Sequence, residues 1–328
     1  MSNSSEHDQG RRGLDRRGFL KTAAGAAGAG IIWSMSGGRL GATALADVLQ
    51  TDPQAAPAGA TADFSFVQIS DTHIGFDLPP NKHPKKTFKE AVAKINGLTP
   101  RPAFVVHTGD HVHLGKVGEF DAVKQLLGTI RTTHVFNVPG EHDIFADGGK
   151  LYQQFFGNPQ GTRYYSFDWS GVHFLALSTV ESSLGSGVTT GLGLLGPEQL
   201  SFIQRDLKGV SSDTPLVIFA HIPILPVYTP WGWATRDAGH LLQLVKRFRS
   251  VTALNGHIHQ VVTRTRGNVV MHTGDSTAYP LHPPGHGTPT PLVVAPAILP
   301  RRIGIREARF APGASSPRVQ DESLAGGQ

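Results

Sequence analysis

The stretch FSFVQISDTHIG, residues 64–75, decides the fold. An apolar run the length of one strand, Phe64 to Ile69, stops at Ser70-Asp71 and gives way to a polar, glycine-ended segment. The same wording recurs twice. Ala103 to His107 ends in Thr108-Gly109-Asp110, and His134 to Val138 ends in Pro139-Gly140-Glu141. Between these runs lie amphipathic stretches, Lys86–Ile95 and Gly118–Ile130, the second with Phe120, Val123, Leu126 and Leu127 at helical spacing. Short buried strands alternating with helices are the βαβ pattern of a parallel sheet covered by helices.

Further along, Tyr164–Trp169 and Val172–Leu177 read as a hairpin around Ser170-Gly171. A helix opens at Pro197, with Leu200, Ile203 and Leu207 on one face. Leu216–Ala220 and Val251–Leu254 read as strands with a helix at Ala238–Phe248 between them; a second hairpin turns at Arg266-Gly267-Asn268, and Ile303–Phe310 closes the pattern. No internal repeat is visible. A single α/β domain of two packed sheets, residues 63–310, accounts for this order. Residues 47–62 read as a flexible lead-in and 311–328 as a disordered polar tail. The glycine-rich run Leu184–Gly196 lacks the Gly-Lys-Ser/Thr of a phosphate-cradling loop and reads as a flexible connection.

Composition narrows the function classes. The 328 residues include no cysteine, so disulfides, thiolate zinc sites and cysteine nucleophiles are excluded. The formal charge of +5 is concentrated at the start: residues 1–46 hold six basic and three acidic side chains, leaving 24 basic against 22 acidic. Binding of a nucleic-acid polymer through bulk charge is therefore not expected. Histidine is abundant, and 15 of the 16 lie beyond residue 46.

The first 46 residues read as an export signal. Arg16-Arg17-Gly18-Phe19-Leu20-Lys21 leads into a Gly/Ala-rich apolar run from Thr22 to about Met35, and Ala44-Leu45-Ala46 fits a small-residue cleavage site. The paired arginines resemble the twin-arginine signal of bacteria, which implies export of the folded protein by the twin-arginine translocase to the periplasm or beyond. The apolar run is shorter than the ~20 residues that span a bilayer, so no stable membrane span is expected.

The chemistry sits at the carboxyl ends of the strands, the edge where open α/β sheets bind ligands. Five polar groups fall there: Asp71-Thr72-His73, Gly109-Asp110, Gly140-Glu141-His142-Asp143, Ala220-His221 and Gly256-His257-Ile258-His259. Each is ordinary alone. Together they gather carboxylates and imidazoles, the ligands of divalent transition metals, at one rim. Such a rim could hold two cations roughly 3.5–4 Å apart, suited to in-line attack on phosphorus. Glycines precede three of the groups and are expected to leave room for a substrate.

These five motifs, in this order, resemble those of the calcineurin-like metallophosphoesterases. The resemblance covers residues 64–275 and implies a four-layer α/β/β/α sandwich of two mixed sheets flanked by helices. It implies that Asp71, His73 and His259 bind one metal, that Asp110 bridges, and that His221, His257 and Glu141 bind the second. His142 would sit beside the scissile phosphate, with Asp143 orienting it. Two divalent or mixed-valence ions (Mn, Fe or Zn) are implied as cofactors, and hydrolysis by attack of a metal-bound hydroxide as the reaction. The Asp-x-His opening, with no tyrosine near Asp110, resembles the cyclic-nucleotide phosphodiesterase-like branch rather than the purple acid phosphatases. Phosphodiesters are thus favoured over monoesters, whether nucleotide, phospholipid head group or another small-molecule or lipid ester. The alternative is an exported metal-binding or metal-handling protein without hydrolytic activity.

One residue departs from the pattern: Glu141 stands where the family has asparagine. A third carboxylate lowers the residual charge on two divalent ions by one unit, or else Glu141 ligates through one oxygen and changes little. It could also favour a trivalent ion. His107, His111 and His113 crowd the second motif, either as structural groups or as phosphate contacts. His83, His282 and His286 read as solvated loop histidines, with an extra metal tract as the other reading. Pro223–Thr235, carrying Tyr228, Trp231 and Trp233, reads as either a pocket wall or a hydrophobic plug.

Overall fold

The structure is a computed structural model that describes residues 31–36, 39–44, 59–158, 160–181 and 192–325. The paired arginines read as part of an export signal and most of the run 184–196 lie outside the described residues. In chain order the elements are β1 (Ile31–Ser36), β2 (Arg39–Ala44), β3 (Phe64–Ile69), α1 (Pro84–Gly97), β4 (Phe104–His107), α2 (Val117–Leu127) and β5 (Val135–Asn137). Then follow α3 (Glu141–Ile144), α4 (Lys150–Phe156), β6 (Tyr165–Trp169), β7 (Val172–Ala176), β8 (Leu192–Gly193) and α5 (Pro197–Leu207). The last are β9 (Leu216–Phe219), β10 (Ala234–Thr235), α6 (Ala238–Val245), β11 (Val251–Asn255), β12 (Val262–Arg266), β13 (Val269–Thr273), β14 (Gly304–Phe310) and β15 (Arg318–Ser323). Strands β1 and β2 pair with each other, and β8 pairs with β10.

Two sheets carry the domain. One has the order β15-β14-β3-β4-β5, with β3, β4 and β5 parallel and β14 antiparallel to β3. The other has the order β12-β13-β11-β9-β7-β6, with β13, β11, β9 and β7 parallel and antiparallel strands at both edges. Alternation sorts the side chains of β3. Phe64 and Phe66 point between the sheets, while Val67 and Ile69 face the helices. Phe66 stacks on Phe104 at 4.7 Å and meets Phe174 and Phe219 of the other sheet edge-on at 5.8 and 5.6 Å. Phe88 of α1 and Phe120 of α2 cover the first sheet's outer face; Ile203 of α5 and Leu241 of α6 cover the second's. The layers run helix, sheet, sheet, helix.

The tail is not loose. Residues 318–323 form β15, paired antiparallel with β14 from Gly304↔Ser323 to Arg309↔Arg318. Asp321 anchors it by accepting from the buried Arg306 guanidinium at 2.7 and 2.8 Å, and Glu322 pairs with Lys94 of α1 at 3.0 Å. An edge strand with one wet face carries few apolar residues, so its sequence reads as coil. The end of the lead-in is likewise fixed: Ala60 is buried, donates to Ala314 O at 3.0 Å and accepts from Gly313 N at 2.8 Å. Among the described residues no helix is long and apolar enough to cross a membrane.

Candidate metal centre

Every residue of the five motifs lies just past the carboxyl end of a parallel strand. Asp71 follows β3, Asp110 follows β4, Glu141 opens α3 after β5, His221 follows β9, and His257 and His259 follow β11. Main-chain bonds tie the first two loops, with Asp71 N donating to Gly109 O and His73 N to Asp110 O, both at 3.0 Å. Six non-glycine residues have positive φ among the described residues, and five are Asp71, His73, Asp110, His257 and His259, at 54°, 40°, 54°, 72° and 50°. Such a backbone costs roughly 1–3 kcal/mol per residue and persists where the surroundings impose it, most often at functional sites. The glycines serve the same end. A Cβ on Gly140 would overlap the Asp110 carboxylate, and one on Gly256 would overlap Ser70 Oγ and Asp71. They let loops from both sheets touch; the space they leave is filled by the motif side chains, not kept for a substrate.

The donors converge in two sets. His259 Nε2 lies 3.2 Å from Asp71 Oδ1 and 3.2 Å from His73 Nε2. In the second set His221 Nε2 lies 3.0 Å from Glu141 Oε2, and His257 Nδ1 lies 2.8 Å from Glu141 Oε1. Asp110 stands between them, its Oδ2 3.5 Å from His73 Nε2 and 3.3 Å from His221 Nε2 while its Oδ1 accepts from His142 N at 2.9 Å. The groups Asp71–His73–His259 and Glu141–His221–His257 each bring their donor atoms close enough to share one cation, and Asp71–Asp110–His221 joins them.

The donor chemistry fits cations. His221 Nδ1–H donates to Thr108 O at 2.7 Å and His259 Nδ1–H to Tyr279 O at 2.6 Å, which leaves each Nε2 lone pair aimed inward. Glu141 Oε2, His221 Nε2 and both ring nitrogens of His257 are buried without a hydrogen-bond partner. Each buried polar atom left unmet costs about 1–3 kcal/mol. Lone pairs crowded at about 3 Å without an aligned proton are the arrangement that a bound cation relieves. The electrostatics are those of a crowded donor set: burial opposes charge on His221, but Asp110, Glu141 and Asp71 push its pKa well above the usual imidazole range, so that a proton stands where a cation would. Burial and the neighbouring Glu141 raise the pKa of Asp110. For Glu141, burial pushes upward but His257 and His221 hold it well below the usual carboxylate range. Burial, then His142 and His259, pushes His73 far down, toward the neutral form a ligand needs.

A family model described as calcineurin-like phosphoesterase matches residues 64–261, which span all five motifs. The chain belongs to this family. A glycerophosphodiester phosphodiesterase of Enterobacter lignolyticus is 32% identical over 58% of this chain and 68% of its own length. A probable cyclic nucleotide phosphodiesterase of Rhodopseudomonas palustris is 27% identical over 48% of this chain and 57% of its own. A dimetal phosphatase from Danio rerio shares the fold, with a TM-score of 0.53 at 15% identity over 80% of this chain and 99% of that one. As a calcineurin-like phosphoesterase, the protein is a metal-dependent phosphoric ester hydrolase.

Within this calcineurin-like centre one role is corrected. Asp143 does not orient His142. Its carboxylate accepts from the main-chain N–H of His111, Val112 and Gly140 at 2.8, 3.2 and 2.9 Å and lies 2.8 Å from His111 Nδ1. It thereby binds the Asp110 loop to the Glu141 loop. His142 Nδ1 donates instead to the carbonyl of His113 at 2.7 Å. Burial opposes the charge on His142, but Asp110 and Glu141 raise its pKa.

The crowd of histidines near Asp110 divides. His111 and His107 are fully buried and structural: they stack at 3.7 Å, and His107 Nδ1 accepts a hydrogen bond from Gly109 N–H while its Nε2 meets Thr72 Oγ1 at 3.1 Å. His113 reaches the rim, half-buried, and burial followed by the His142 charge lowers its pKa to about 4. The aromatic segment is mainly a plug: Trp233 is buried with Phe76, Ile258, Tyr279 and Leu281, while Tyr228 and Trp231 are half-exposed. Tyr279 brings that cluster to the centre by stacking on His73 at 5.0 Å. Tyr279 and Ser276, whose Oγ donates to Asp71 O at 2.7 Å, were not anticipated. Their signal was Gly274-Asp275-Ser276 after β13, a sixth polar group at a strand's carboxyl end.

Proposed function

We propose that this protein is an exported dinuclear phosphodiesterase. The observation that carries the reading is the convergence of seven donor side chains from five loops and two sheets, with buried lone pairs aimed at shared points. Asp71, Asp110, His73 and His259 would hold one cation, and Asp110, Glu141, His221 and His257 the other, with Mn, Fe and Zn suited to this mix of oxygen and nitrogen. When bound, such a pair supplies Lewis-acid polarisation of phosphoryl oxygens and acidifies a water that can attack phosphorus.

The chain's own groups do the rest. His142 is fixed through Nδ1, and its other nitrogen, without a hydrogen bond among the described residues, is free to donate to a phosphoryl oxygen or to the departing alkoxide. Asp143 keeps the Asp110 and Glu141 loops in one geometry, so the reacting phosphorus meets a preset site. The relatives that are phosphodiesterases support a diester substrate, either a small molecule or a lipid head group. The sequence around Arg16-Arg17 supports passage through the twin-arginine translocase and a periplasmic or secreted location.

Hydrolysis of an aryl phosphodiester and the matching monoester by metal-depleted protein resupplied with Mn, Fe or Zn tests this reading. Diester turnover restored by metal is expected. Full metal occupancy with no turnover would favour the metal-handling alternative, and a preference for the monoester would remove the diester assignment.

A further inference from the structure

Two of the ligand imidazoles lean on main-chain carbonyls, His221 on Thr108 and His259 on Tyr279. His73 does not. Its Nε2 faces Asp110 and His259, while its Nδ1 lies 3.3 Å from the Nδ1 of His113, a second imidazole. A hydrogen bond between those nitrogens carries one proton. His73 must keep the Nε2 lone pair for a cation, so its proton sits on Nδ1, and His113 Nδ1 is the acceptor. A neutral imidazole has one N–H, which places the proton of His113 on Nε2. That atom has no hydrogen-bond partner among the described residues, and the residue is half-buried at the rim.

The ring is held on several sides. It stacks on His142 at 4.9 Å with 18° between planes and meets Phe76 edge-on at 5.1 Å. The carbonyl of the same residue receives His142 Nδ1–H. The side chain of His113 thus braces His73, and its main chain braces His142. This use of the nitrogens leaves no lone pair on His73 or on His113 Nδ1 for a third cation, although His73, His113 and His142 stand close enough to suggest one.

We propose that His113 is a positioning residue that fixes the tautomer of His73 and presents its own Nε2–H to an oxygen of the bound phosphate ester beside His142. The proposal rests on reading Asp71, His73 and His259 as ligands of one cation. It is tested with the full chain stripped by chelation, titrated with Mn²⁺ alone by calorimetry, and assayed for KM and kcat on an aryl phosphodiester. His113→Ala should weaken the tighter Mn²⁺ site by roughly 10–100-fold, as loss of an outer partner does, and raise KM. His113→Asn offers an oxygen near the position of Nδ1 but no N–H near that of Nε2. It should restore Mn²⁺ affinity and leave KM raised, a separation that simple loss of packing would not give. Mn²⁺ affinity unchanged in His113→Ala would overturn the proposal. So would Asn and Ala variants equally weak in Mn²⁺ at a wild-type melting temperature, or an Asn variant with both parameters restored. Wild-type protein that binds no Mn²⁺ would overturn the metal reading itself, a result recognisable before any variant is made.

Discussion

Glu141 is the residue at which this chain leaves the pattern that its other motifs keep. Its two oxygens reach His257 and His221 at 2.8 and 3.0 Å, a span that a side chain one methylene shorter cannot repeat from the same backbone position. The carboxylate also adds a negative charge to a buried set that already contains Asp71 and Asp110. More ligand charge favours cation loading, and less residual positive charge weakens the pull on an anionic ester. Glu141→Asn should therefore fold normally and hold its second cation at least about tenfold less tightly, the lower edge of what even an outer partner contributes. With excess Mn²⁺ it should hydrolyse the diester as fast as the parent or faster. Metal content after dialysis and turnover at saturating Mn²⁺ separate these effects; a fall of orders of magnitude at full occupancy would give the carboxylate a role in the chemistry. At this scale the sequence was most readable where a residue's chemistry is its function. Asp71, His73, Asp110, Glu141, His221, His257 and His259 all meet, because strand ends fix where they lie. The place of Asp143 was not legible because three of its four partners are main-chain amides, which no pattern of side chains announces.

Between elements, the clearest polar joint outside the centre is His173 of β7. Its Nδ1 lies 2.7 Å from Asp168 Oδ1 of β6 and its Nε2 2.8 Å from Asp206 Oδ2 of α5, so one ring links an edge hairpin to the helix covering it. Ser166 adds a bond to the other oxygen of Asp206 at 2.5 Å. Burial disfavours the charge on His173, but its hydrogen bonds to Asp168 and Asp206 outweigh that and raise the pKa from 6.5 to about 9. A folded pKa above the unfolded one gives stability that is complete below about 6.5 and is lost as pH rises through about 9. The melting temperature of the wild type should thus fall between pH 7 and pH 10 more steeply than that of His173→Gln, and parallel curves would deny the joint this role. The hairpin itself was legible from the Ser170-Gly171 turn and the alternation around it. The joint was not, since Asp206 is 33 residues from His173 and only the docked helix brings it close.

On the scale of the whole molecule, the order of strands and helices could be read because two periodicities, two and 3.6, switch along the chain. Strand β15 escaped that reading because its alternation is written in polar residues, and what seats it is a buried arginine on its neighbouring strand β14. The centre draws on far longer-range contacts. Asp71, Asp110 and Glu141 belong to loops of one sheet, His221, His257 and His259 to loops of the other. Between them the aromatic core closes the lower part of the sandwich, while the upper part is closed by polar groups, with Gln68 donating to Thr108 Oγ1 and to Asn255 O at 2.9 and 3.0 Å. Cations seated at the rim would cross-link the sheets where apolar packing ends, and they would neutralise carboxylates that otherwise repel in a dry site. Binding to the native state alone stabilises it by about 2.7 kcal/mol at a free concentration of 100 times Kd. In a domain of this size each kcal/mol is worth roughly 2–4 °C. Chelation should accordingly lower the melting temperature by about 5–10 °C from that loading, and adding back Mn²⁺ should restore it in wild type. In Asp110→Asn, which keeps the size but not the charge of the carboxylate between the two donor sets, the restoring shift should be much smaller. A chelator-insensitive melting curve in protein shown to carry metal would mean that the sheets are held without help from the rim.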